Sequence, residues 1–458
     1  MLEPVRSNSW RGEPADGPFA ADGARRWGVG PVPQPTVHLA PQAHDPWDWR
    51  RAEVGWGLLL ADDDDLPAED MAAARDAPEP LQELVAARGP APVLRWHPDD
   101  PDVLLRYYPG YPDPEAIPIG GSPRGVRDGA IPSFLMLWGE LAALPWTLQY
   151  RLNLDPRICA GRLPLHGDAL ARYVTALLGE WDRPAPSRAA ALVWATDHSA
   201  TDITRLMRVV IADEVRERYL ADDDITLTHR AGEAATAGSL AADLAAGSPR
   251  MIVTTSHGFT GPVGRPDREQ LGWLVDADFA PVDPAALLAR WQPNGAVWYA
   301  HACCGAGSDT PSAFTGLFDS DSGLHRMITE VAGLGSRIAP LPMALLSAPK
   351  PVRAFIGHVE PTFDWTIRHS ASRHAMTADL VQGLYTDLML GRPVGWAMAA
   401  YHTRAGADAA DHDAARARAL AGQVAAAETL RPRLSYLDRR SLVILGDPAA
   451  ALPSTALC

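Results

Sequence analysis

From about residue 189 onward, short apolar runs alternate with longer stretches in which apolar residues recur at helical spacing. The apolar runs predict buried strands, and the intervening stretches predict helices. The predicted strands lie at 190–195, 225–229, 251–256, 296–300, 352–357 and 441–448, and the predicted helices at 201–219, 231–246, 284–291, 376–390, 394–403 and 408–430. This alternation is typical of α/β folds, so we predict a three-layer α/β/α arrangement around a mostly parallel central sheet.

The first half of the chain is less regular. Residues 1–90 are rich in Pro, Trp and Asp with no sustained period, and we predict an extension of unknown fold there. The stretch 131–153 predicts buried strands with turns, and 160–181 predicts a strand, a turn and a helix. Because two prolines follow within 183–187, we predict a smaller α/β subdomain over 91–185 and a larger domain over 186–458.

Composition and charge narrow the class of protein. Hydrophobic residues make up 47% of the 458 residues and charged residues 21%, which predicts a chain that folds. A net charge of −15 disfavours binding to phosphate backbones and anionic lipid, so we expect neither nucleic acid nor membrane as a partner. No signal sequence or spanning stretch is evident, and four irregularly spaced cysteines do not indicate a disulfide framework or a zinc site. We therefore expect a cytoplasmic protein.

Two reactive residues follow neighbouring predicted strands. His257 and Gly258 come directly after strand 251–256, and Cys303 comes shortly after strand 296–300. Reactive groups in open α/β sheets collect where parallel strands end, because the loops there face a common crevice. The sequence therefore predicts that His257 and Cys303 meet.

This pair suits nucleophilic catalysis. A cysteine attacks a carbonyl as the thiolate, and a neighbouring imidazole can remove its proton. The backbone N–H groups of Gly258 and Cys303 are candidates for the oxyanion hole, because small neighbouring residues leave such groups open to a substrate. This chemistry requires no metal and no organic cofactor, and we expect neither.

The stretch His301–Ala302–Cys303–Cys304–Gly305 resembles the Gln–Ala–Cys–x–Gly signature of caspases, and 303 − 257 = 46 residues separate the pair, against about 50 in caspases. Residues 190–305 thus resemble the caspase–gingipain–separase superfamily, which includes the CHAT domains of bacterial proteases. Gly161–Arg–Leu–Pro and Leu445–Gly–Asp–Pro448 point to its gingipain-like branch.

The resemblance implies a caspase-like catalytic domain over 186–458, a gingipain-like subdomain before it, and a cysteine endopeptidase that cleaves proteins or peptides through an acyl-enzyme. Strand geometry lets only one of two adjacent cysteines face His257, and the family pattern selects Cys303 over Cys304. His301 stands where caspases carry Gln. The resemblance also implies an activating or regulatory partner.

Substrate choice in this superfamily depends on a pocket beside the nucleophile. The candidates for that pocket are Asp197, Asp202, His301, Glu360 and Asp364. Since carboxylates pair with guanidinium and ammonium groups, an acidic pocket would favour a basic residue before the scissile bond. The polar and aromatic loop 357–365 is a further candidate for function, because loops after strands often carry it.

Two alternatives belong to other classes of protein. The chain could be a catalytically silent caspase-like module that binds or scaffolds. The adjacent Cys303 and Cys304 could instead have a redox role, although neighbouring cysteines rarely close an unstrained disulfide and no Cys-x-x-Cys occurs.

Overall fold

A computed structural model describes residues 5–30, 45–63, 65–182, 189–369 and 372–453. It is a mixed α/β structure in which helices flank a large, mostly parallel sheet of twelve strands. The strands are β1 Val5–Trp10, β2 Pro14–Gly17, β3 Trp56–Ala61, β4 Val93–Trp96, β5 Val103–Arg106, β6 Glu115–Pro118, β7 Phe134–Leu137, β8 Cys159–Arg162, β9 Ala189–Ala195, β10 Ile225–Ala231, β11 Met251–Thr255, β12 Gly258–Phe259, β13 Val297–His301, β14 Gly307–Ser308, β15 Arg337–Ile338, β16 Ala354–His358 and β17 Leu442–Gly446.

The helices pack on both sides of this sheet. They are α1 Ala21–Gly28, α2 Ala68–Ala72, α3 Glu79–Ala87, α4 Trp146–Leu154, α5 Gly167–Leu178, α6 Ile203–Met207, α7 Asp213–Leu220, α8 Ala237–Gly247, α9 Pro284–Leu288, α10 Gly323–Ala332, α11 Pro340–Ser347, α12 Ala378–Gln382, α13 Val394–Leu420 and α14 Leu430–Arg440. Two π-helical stretches, Arg208–Ala212 and Gly383–Asp387, extend α6 and α12, and short 3-10 turns occur at Glu180–Asp182, Gly232–Ala234, Asp364–Thr366 and Ala426–Thr429.

The strand order is β10-β9-β11-β13-β16-β17-β8-β7-β3-β4-β5-β6. Strands β10, β9, β11, β13 and β16 are mutually parallel. Strand β17 runs antiparallel to β16, and β8, β7, β3 and β4 follow the direction of β17. The carboxyl ends of the strands in one half therefore lie on the same side of the sheet as the amino ends of the strands in the other half.

The central strands are apolar throughout because both of their faces are covered. In β9, Leu192 and Trp194 pack into the core on one face of the sheet, whereas Val193 and Ala195 pack into the core on the other. Side chains alternate between the faces of a strand, so a strand between two helical layers needs apolar residues at every position. This arrangement explains the continuous apolar runs in the sequence.

The predicted strands of the second half are confirmed to within two residues, but one prediction in the first half is wrong. The stretch around 144–153, which we predicted as strands with turns, forms helix α4. Its residues are buried around most of the helix, including Trp146, Gln149 and Leu152, so no apolar stripe marks it as a helix. The two helices predicted at 394–403 and 408–430 are joined in a single helix, α13, which ends at Leu420. Helix α14 follows from Leu430.

Residues 1–90, predicted as an extension, supply structure in two places. Strand β3 lies inside the large sheet between β7 and β4. Strands β1 and β2 form a hairpin that joins β12 in a separate three-stranded sheet, far from β3 in the fold. The domain boundaries predicted near residues 90 and 185 remain predictions.

A helix that crosses a membrane is about 20 residues long and mostly apolar. Within the described ranges, no helix has both the length and the apolar character that a membrane span needs.

Candidate active site

The register of two neighbouring strands places His257 and Cys303 at the same level. Thr255 of β11 pairs with His301 of β13, and each candidate residue lies two positions further along its chain. The backbones beyond the strands are in close contact: a Cβ built on Gly258 would lie 1.9 Å from the Cys303 carbonyl oxygen. Only glycine fits there, so the sequence His257–Gly258 brings the imidazole segment directly against Cys303.

The Cys303 sulfur has polar neighbours from two separate segments. The Ser7 hydroxyl lies 3.1 Å from Sγ, and the Thr362 backbone N–H donates to Sγ over 3.1 Å. Both neighbours and the cysteine are buried. Burial raises the pKa of the Cys303 thiol to about 12, although the hydrogen bonds from Ser7, Ser9 and Thr362 oppose this effect. With the sulfur covered in this way, the thiol is protonated at neutral pH.

The neighbouring Cys304 faces a different environment. It lies in the left-handed region at φ 56°, which turns the chain immediately after Cys303. Its N–H donates to the carbonyl oxygen of Glu360 at 2.9 Å, and burial raises its pKa well above the ordinary value. Of the two cysteines, Cys303 is the one whose sulfur contacts the polar groups of Ser7 and Thr362.

His257 is held by a carboxylate that the sequence analysis had placed in the substrate pocket. Its Nε2 lies 3.1 Å from Oδ2 of Asp202, while its buried Nδ1 has no hydrogen-bond partner among the described residues. Burial by itself would raise the pKa of Asp202, but the hydrogen bond and charge of His257 and the bonds from Thr204 outweigh it and lower that pKa well below its ordinary value. Asp202 can therefore orient the ring and stabilise its protonated form.

The position of Asp202 follows from local helix chemistry. It is the residue before helix α6, and its carboxylate accepts hydrogen bonds from the Thr204 N–H at 2.8 Å and from the Thr204 hydroxyl at 2.6 Å. Asp is a preferred residue at this capping position because it satisfies N–H groups that the helix leaves unpaired. One oxygen therefore caps the helix, and the other reaches His257.

Aromatic rings enclose the imidazole. Trp10 stacks on His257 with ring centroids 5.4 Å apart, and His198 stacks on it at 5.2 Å with the planes 5° apart. Phe279 packs against both Trp10 and His198. These contacts limit rotation of the ring and keep water from it.

His198, Asp202 and His257 form a group that could hold a metal ion, since one potential ligand atom of each lies within 4.8 Å of the others. However, Asp202 is already bonded to His257, and Nε2 of His198 lies 2.8 Å from the Asp276 carbonyl oxygen. Imidazole lone pairs lie in the ring plane, so two rings stacked face to face do not converge on one ion at about 2 Å. We interpret the group as an arrangement that positions His257.

Arg6, the residue before Ser7, is paired with a carboxylate. Nη2 of Arg6 lies 3.2 Å from Oδ2 of Asp364, and Nη1 donates to the Thr201 carbonyl oxygen. The Asp364 side chain is largely buried and its Oδ1 has no described partner. Burial raises the pKa of Asp364, and Arg6 partly offsets that rise. A cavity of about 450 Å³ opens beside Arg6, and its wall contains one carboxylate, Asp202, and the arginines Arg6, Arg205, Arg368 and Arg373.

The other predicted pocket residues point elsewhere. Asp197 is paired with Arg205 and Arg208 at 3.3 and 3.1 Å. Glu360 is buried and accepts from the Ala313 N–H at 3.2 Å, and burial raises its pKa to about 7. These two carboxylates stabilise loops and do not contact the Cys303 sulfur.

His301 lies beneath the site. Its ring packs against that of His358 at 5.0 Å, and its Nδ1 lies 2.8 Å from the Tyr299 hydroxyl. Burial lowers the pKa of His301 to about 3, so this ring is neutral at physiological pH. The structure thus places His301 in the core and not among the groups that line the groove.

The two predicted oxyanion donors lie where a second chain segment passes. Gly258 of β12 pairs in parallel with Ser9 of β1, and Cys303 follows on the adjacent strand. Both residues are buried under that segment.

Ser7, Trp10 and Thr362 contact the candidate pair, and sequence reasoning singled out none of them. Thr362 lies in the loop 357–365, whose polar and aromatic composition was a usable signal. Ser7 and Trp10 are distant in sequence from their partners, and 296 residues separate Ser7 from Cys303. No local pattern in the sequence indicates either contact.

Comparison with models of known protein families finds no match to this chain. Comparison with curated proteins finds none either.

Proposed function

We propose that the protein is a cysteine endopeptidase of the caspase–gingipain type, in which Cys303 is the nucleophile and His257 is the base. The observation that carries this proposal is the register that sets both residues just beyond the carboxyl ends of adjacent parallel strands, with Asp202 at Nε2 of the imidazole. Nucleophile, base and orienting carboxylate are the parts that thiol hydrolysis requires.

The proposed reaction has two stages. His257 takes the proton of Cys303, and the sulfur attacks the carbonyl carbon of the scissile peptide bond. The C–N bond then breaks, His257 returns the proton to the leaving amine, and a thioester remains on Cys303. Water, deprotonated by His257, attacks the thioester and releases the acid and the thiol. The N–H groups of Gly258 and Cys303 are the proposed donors to the oxyanion in both stages.

The proposed substrate is a protein or peptide with a basic residue before the scissile bond. Support comes from Arg6, which precedes the sulfur-contacting Ser7 and whose guanidinium is paired with Asp364. A basic side chain in that place would remove the cost of the buried carboxylate, whose pKa burial raises. This assigns the pocket to Asp364 and not to Asp197 or Glu360.

The proposed setting is a reducing cytoplasm with a regulatory partner. Cys159, Cys303 and Cys304 are free thiols in the structure, which suits a reducing compartment.

The test is cleavage of a fluorogenic peptide library by the purified chain and by Cys303→Ala. The proposal expects cleavage after Arg or Lys that disappears in the variant. Cys159→Ala is the matched control, since that cysteine is equally buried but lies on β8, and it should retain cleavage. If the parent chain cleaves a peptide and folded Cys303→Ala cleaves it as fast, Cys303 is not the nucleophile.

A second candidate is the catalytically silent binding module. The observation that favours it is the covered sulfur, since a buried thiol with a pKa of about 12 is not a nucleophile at neutral pH. Iodoacetamide labelling at pH 7 discriminates between the two. A silent module should label at Cys303 as slowly as at Cys159 under every condition that leaves the chain folded.

A further inference from the structure

The segment Val5–Trp10 lies across the sulfur of Cys303 as an extended strand. Ser9 and Trp10 pair in parallel with Gly258 and Phe259, and Ser7 forms an antiparallel bridge with Phe363. This strand therefore lies between the segment that follows the candidate base and the loop that contacts the sulfur. An added strand of this kind is how extended peptides bind in many clefts.

Three side chains of the segment each contact a different part of the proposed site. Arg6 pairs with Asp364, Ser7 contacts the Cys303 sulfur, and Trp10 covers the His257 ring. Together these contacts cover the pocket, the nucleophile and the base. The sulfur is 0% exposed and His257 is 1% exposed as a result of this cover and the surrounding loops.

We infer that strand β1 is a displaceable inhibitory segment that occupies the peptide groove and must leave before a substrate can reach Cys303. This inference rests on the proposed function for its meaning, and on the contacts of β1 for its geometry. What faces the sulfur is the hydroxyl of Ser7, so the segment covers the nucleophile with a side chain.

The composition of the segment suits reversible docking. Arg6, Ser7, Asn8 and Ser9 are polar, so their burial brings little hydrophobic stabilisation. The Asn8 side chain is buried but its Oδ1 has no hydrogen-bond partner among the described residues, which costs free energy. The Asn8 N–H donates to the Thr362 carbonyl oxygen over 3.4 Å, a long bond. A segment held in this way can be displaced without unfolding the sheet.

The chain beyond the segment is anchored more firmly. Arg11 is buried and pairs with Glu330 at 2.6 Å, and Trp27 of α1 donates to the Ala313 carbonyl oxygen at 2.8 Å. Gly12 lies between the strands of the hairpin at φ 92°, with no atom within 4 Å of a Cβ built there. The conformational freedom of glycine at this point lets β1 move while α1 stays in place.

A peptide that displaces the segment should share its chemistry. The pocket at Asp364 requires a guanidinium or ammonium group, and the bridge to Phe363 requires an extended backbone. An arginine-containing peptide is therefore both the expected competitor of β1 and the proposed substrate class.

The experiment measures alkylation of Cys303 by iodoacetamide, located by mass spectrometry of a digest. Arg6→Glu places two carboxylates in the pocket, and Trp10→Ala uncovers His257. Each variant is expected to label Cys303 on the order of tenfold faster or more than the parent chain. Arg75→Glu is the matched control for charge reversal, because Arg75 forms a 2.7 Å ion pair with Asp70 on the surface of another region. It should leave the rate unchanged.

A synthetic peptide of residues 5–12 supplies the reverse test. When it is added to the Arg6→Glu variant, the peptide should slow labelling of Cys303. The same peptide with Glu in place of Arg6 should not. Equal labelling of Cys303 in the parent chain and in both folded variants would overturn the inference, because β1 would then be a fixed part of the site.

If the variants fail to fold, the parent chain decides the question. In low concentrations of urea, Cys303 should become reactive through a local opening with a small denaturant dependence, whereas Cys159 should react only on global unfolding. Identical denaturant dependence at the two cysteines would overturn the inference.

Peptide cleavage separates the two proposals. Faster labelling without any Cys303-dependent cleavage supports the displaceable strand and contradicts the peptidase. Cleavage at equal rates in parent and variants, with equal labelling, supports the peptidase and contradicts the displaceable strand.

Discussion

The two halves of the twelve-stranded sheet end at opposite edges, and only one edge carries candidate chemistry. Strands β9, β11, β13 and β16 end where Asp197, His257, Cys303 and Glu360 lie at about one level. Strands β8, β7, β3 and β4 run the other way, because β17 reverses the direction after β16. The halves are joined by hydrogen bonds, yet they cannot contribute strand ends to one cleft.

Another cavity lies beside the segments that precede β3 and β4 and the segment that follows β17. It measures about 460 Å³ and is lined by tryptophans and arginines, among them Trp49, Arg88 and Trp181. Arg88 is paired with the buried Asp447, and its guanidinium stacks on Trp49 and Trp56. Neither histidine nor cysteine is among the residues that line this cavity. This cavity therefore lacks the histidine and the cysteine that follow the carboxyl ends of β11 and β13 at one level.

The two halves of the sheet can also be compared through one cysteine in each, Cys159 and Cys303. Burial raises the pKa of both thiols to about 12. Cys159 is part of the apolar core on β8. The Cys303 sulfur contacts Ser7 and Thr362, and Ser7 belongs to a segment that we propose can leave. The two thiols therefore share a pKa raised by burial, and they differ in that a polar segment, which we propose can leave, contacts the sulfur of Cys303.

The largest expected effect is loss of the nucleophile. In the Arg6→Glu background, Cys303→Ala should lower cleavage of an arginine-containing peptide on the order of 10⁵-fold, because the proposed acyl-enzyme forms on the Cys303 sulfur. Cys159→Ala should keep the rate within about twofold, since it alters packing remote from the groove. Steady-state kinetics measure both. A large loss of cleavage rate in folded Cys159→Ala would contradict the expectation that only the half of the sheet with Cys303 takes part in cleavage.

A smaller effect is expected when the carboxylate that positions His257 loses its charge. Asp202→Asn should lower kcat about a thousandfold with little change in KM, because Asn can still cap helix α6 but stabilises the imidazolium poorly. The rate-against-pH profile should shift as well, and Asp202→Glu should restore part of the rate. An unchanged profile with full activity would show that Asp202 only caps the helix.

Close packing at the site predicts a third effect. Gly258→Ala should lower activity about a hundredfold and destabilise the fold by roughly 1–3 kcal/mol, because its Cβ would meet the Cys303 carbonyl oxygen at 1.9 Å. Gly238→Ala is the control, since its Cβ would meet nothing closer than 3.9 Å. Kinetics and urea unfolding measure the pair. Wild-type behaviour of Gly258→Ala would contradict the described approach of the two segments.

The smallest effect concerns stability against pH. Burial raises the pKa of Glu360 from its ordinary 4.5 to about 7. The folded chain therefore holds this proton more tightly than the unfolded chain, and the associated stability is present below pH 4.5 and is lost as pH rises to about 7. Glu360→Gln should become more stable than the parent by roughly 1–3 kcal/mol between pH 5 and pH 8.

Urea unfolding at the two pH values measures this difference. Glu83→Gln, on the exposed face of α3, is the control and should show no such trend. A difference that shrinks with rising pH would contradict a buried, protonated Glu360.

How far the sequence reaches depends on whether a feature is local. Apolar runs at 190–195, 251–256 and 296–300 predicted the strands that the structure contains, because a strand covered on both faces must be apolar. The same runs predicted that His257 and Cys303 follow strand ends, since parallel strands share an edge. Helix α4 was not predicted, because its residues are buried on most sides and form no apolar stripe.

By itself, then, the sequence determined the α/β class, the strands of the second half and the two residues that follow their ends. Only the tertiary structure decided that Asp202 holds His257, that Asp197 and Glu360 stabilise loops, and that β1 covers Cys303. The physical reason is that periodicity reports the burial of a residue within its own element. It carries no information about a contact made across hundreds of residues, which depends on how the strands are ordered and in which direction they run.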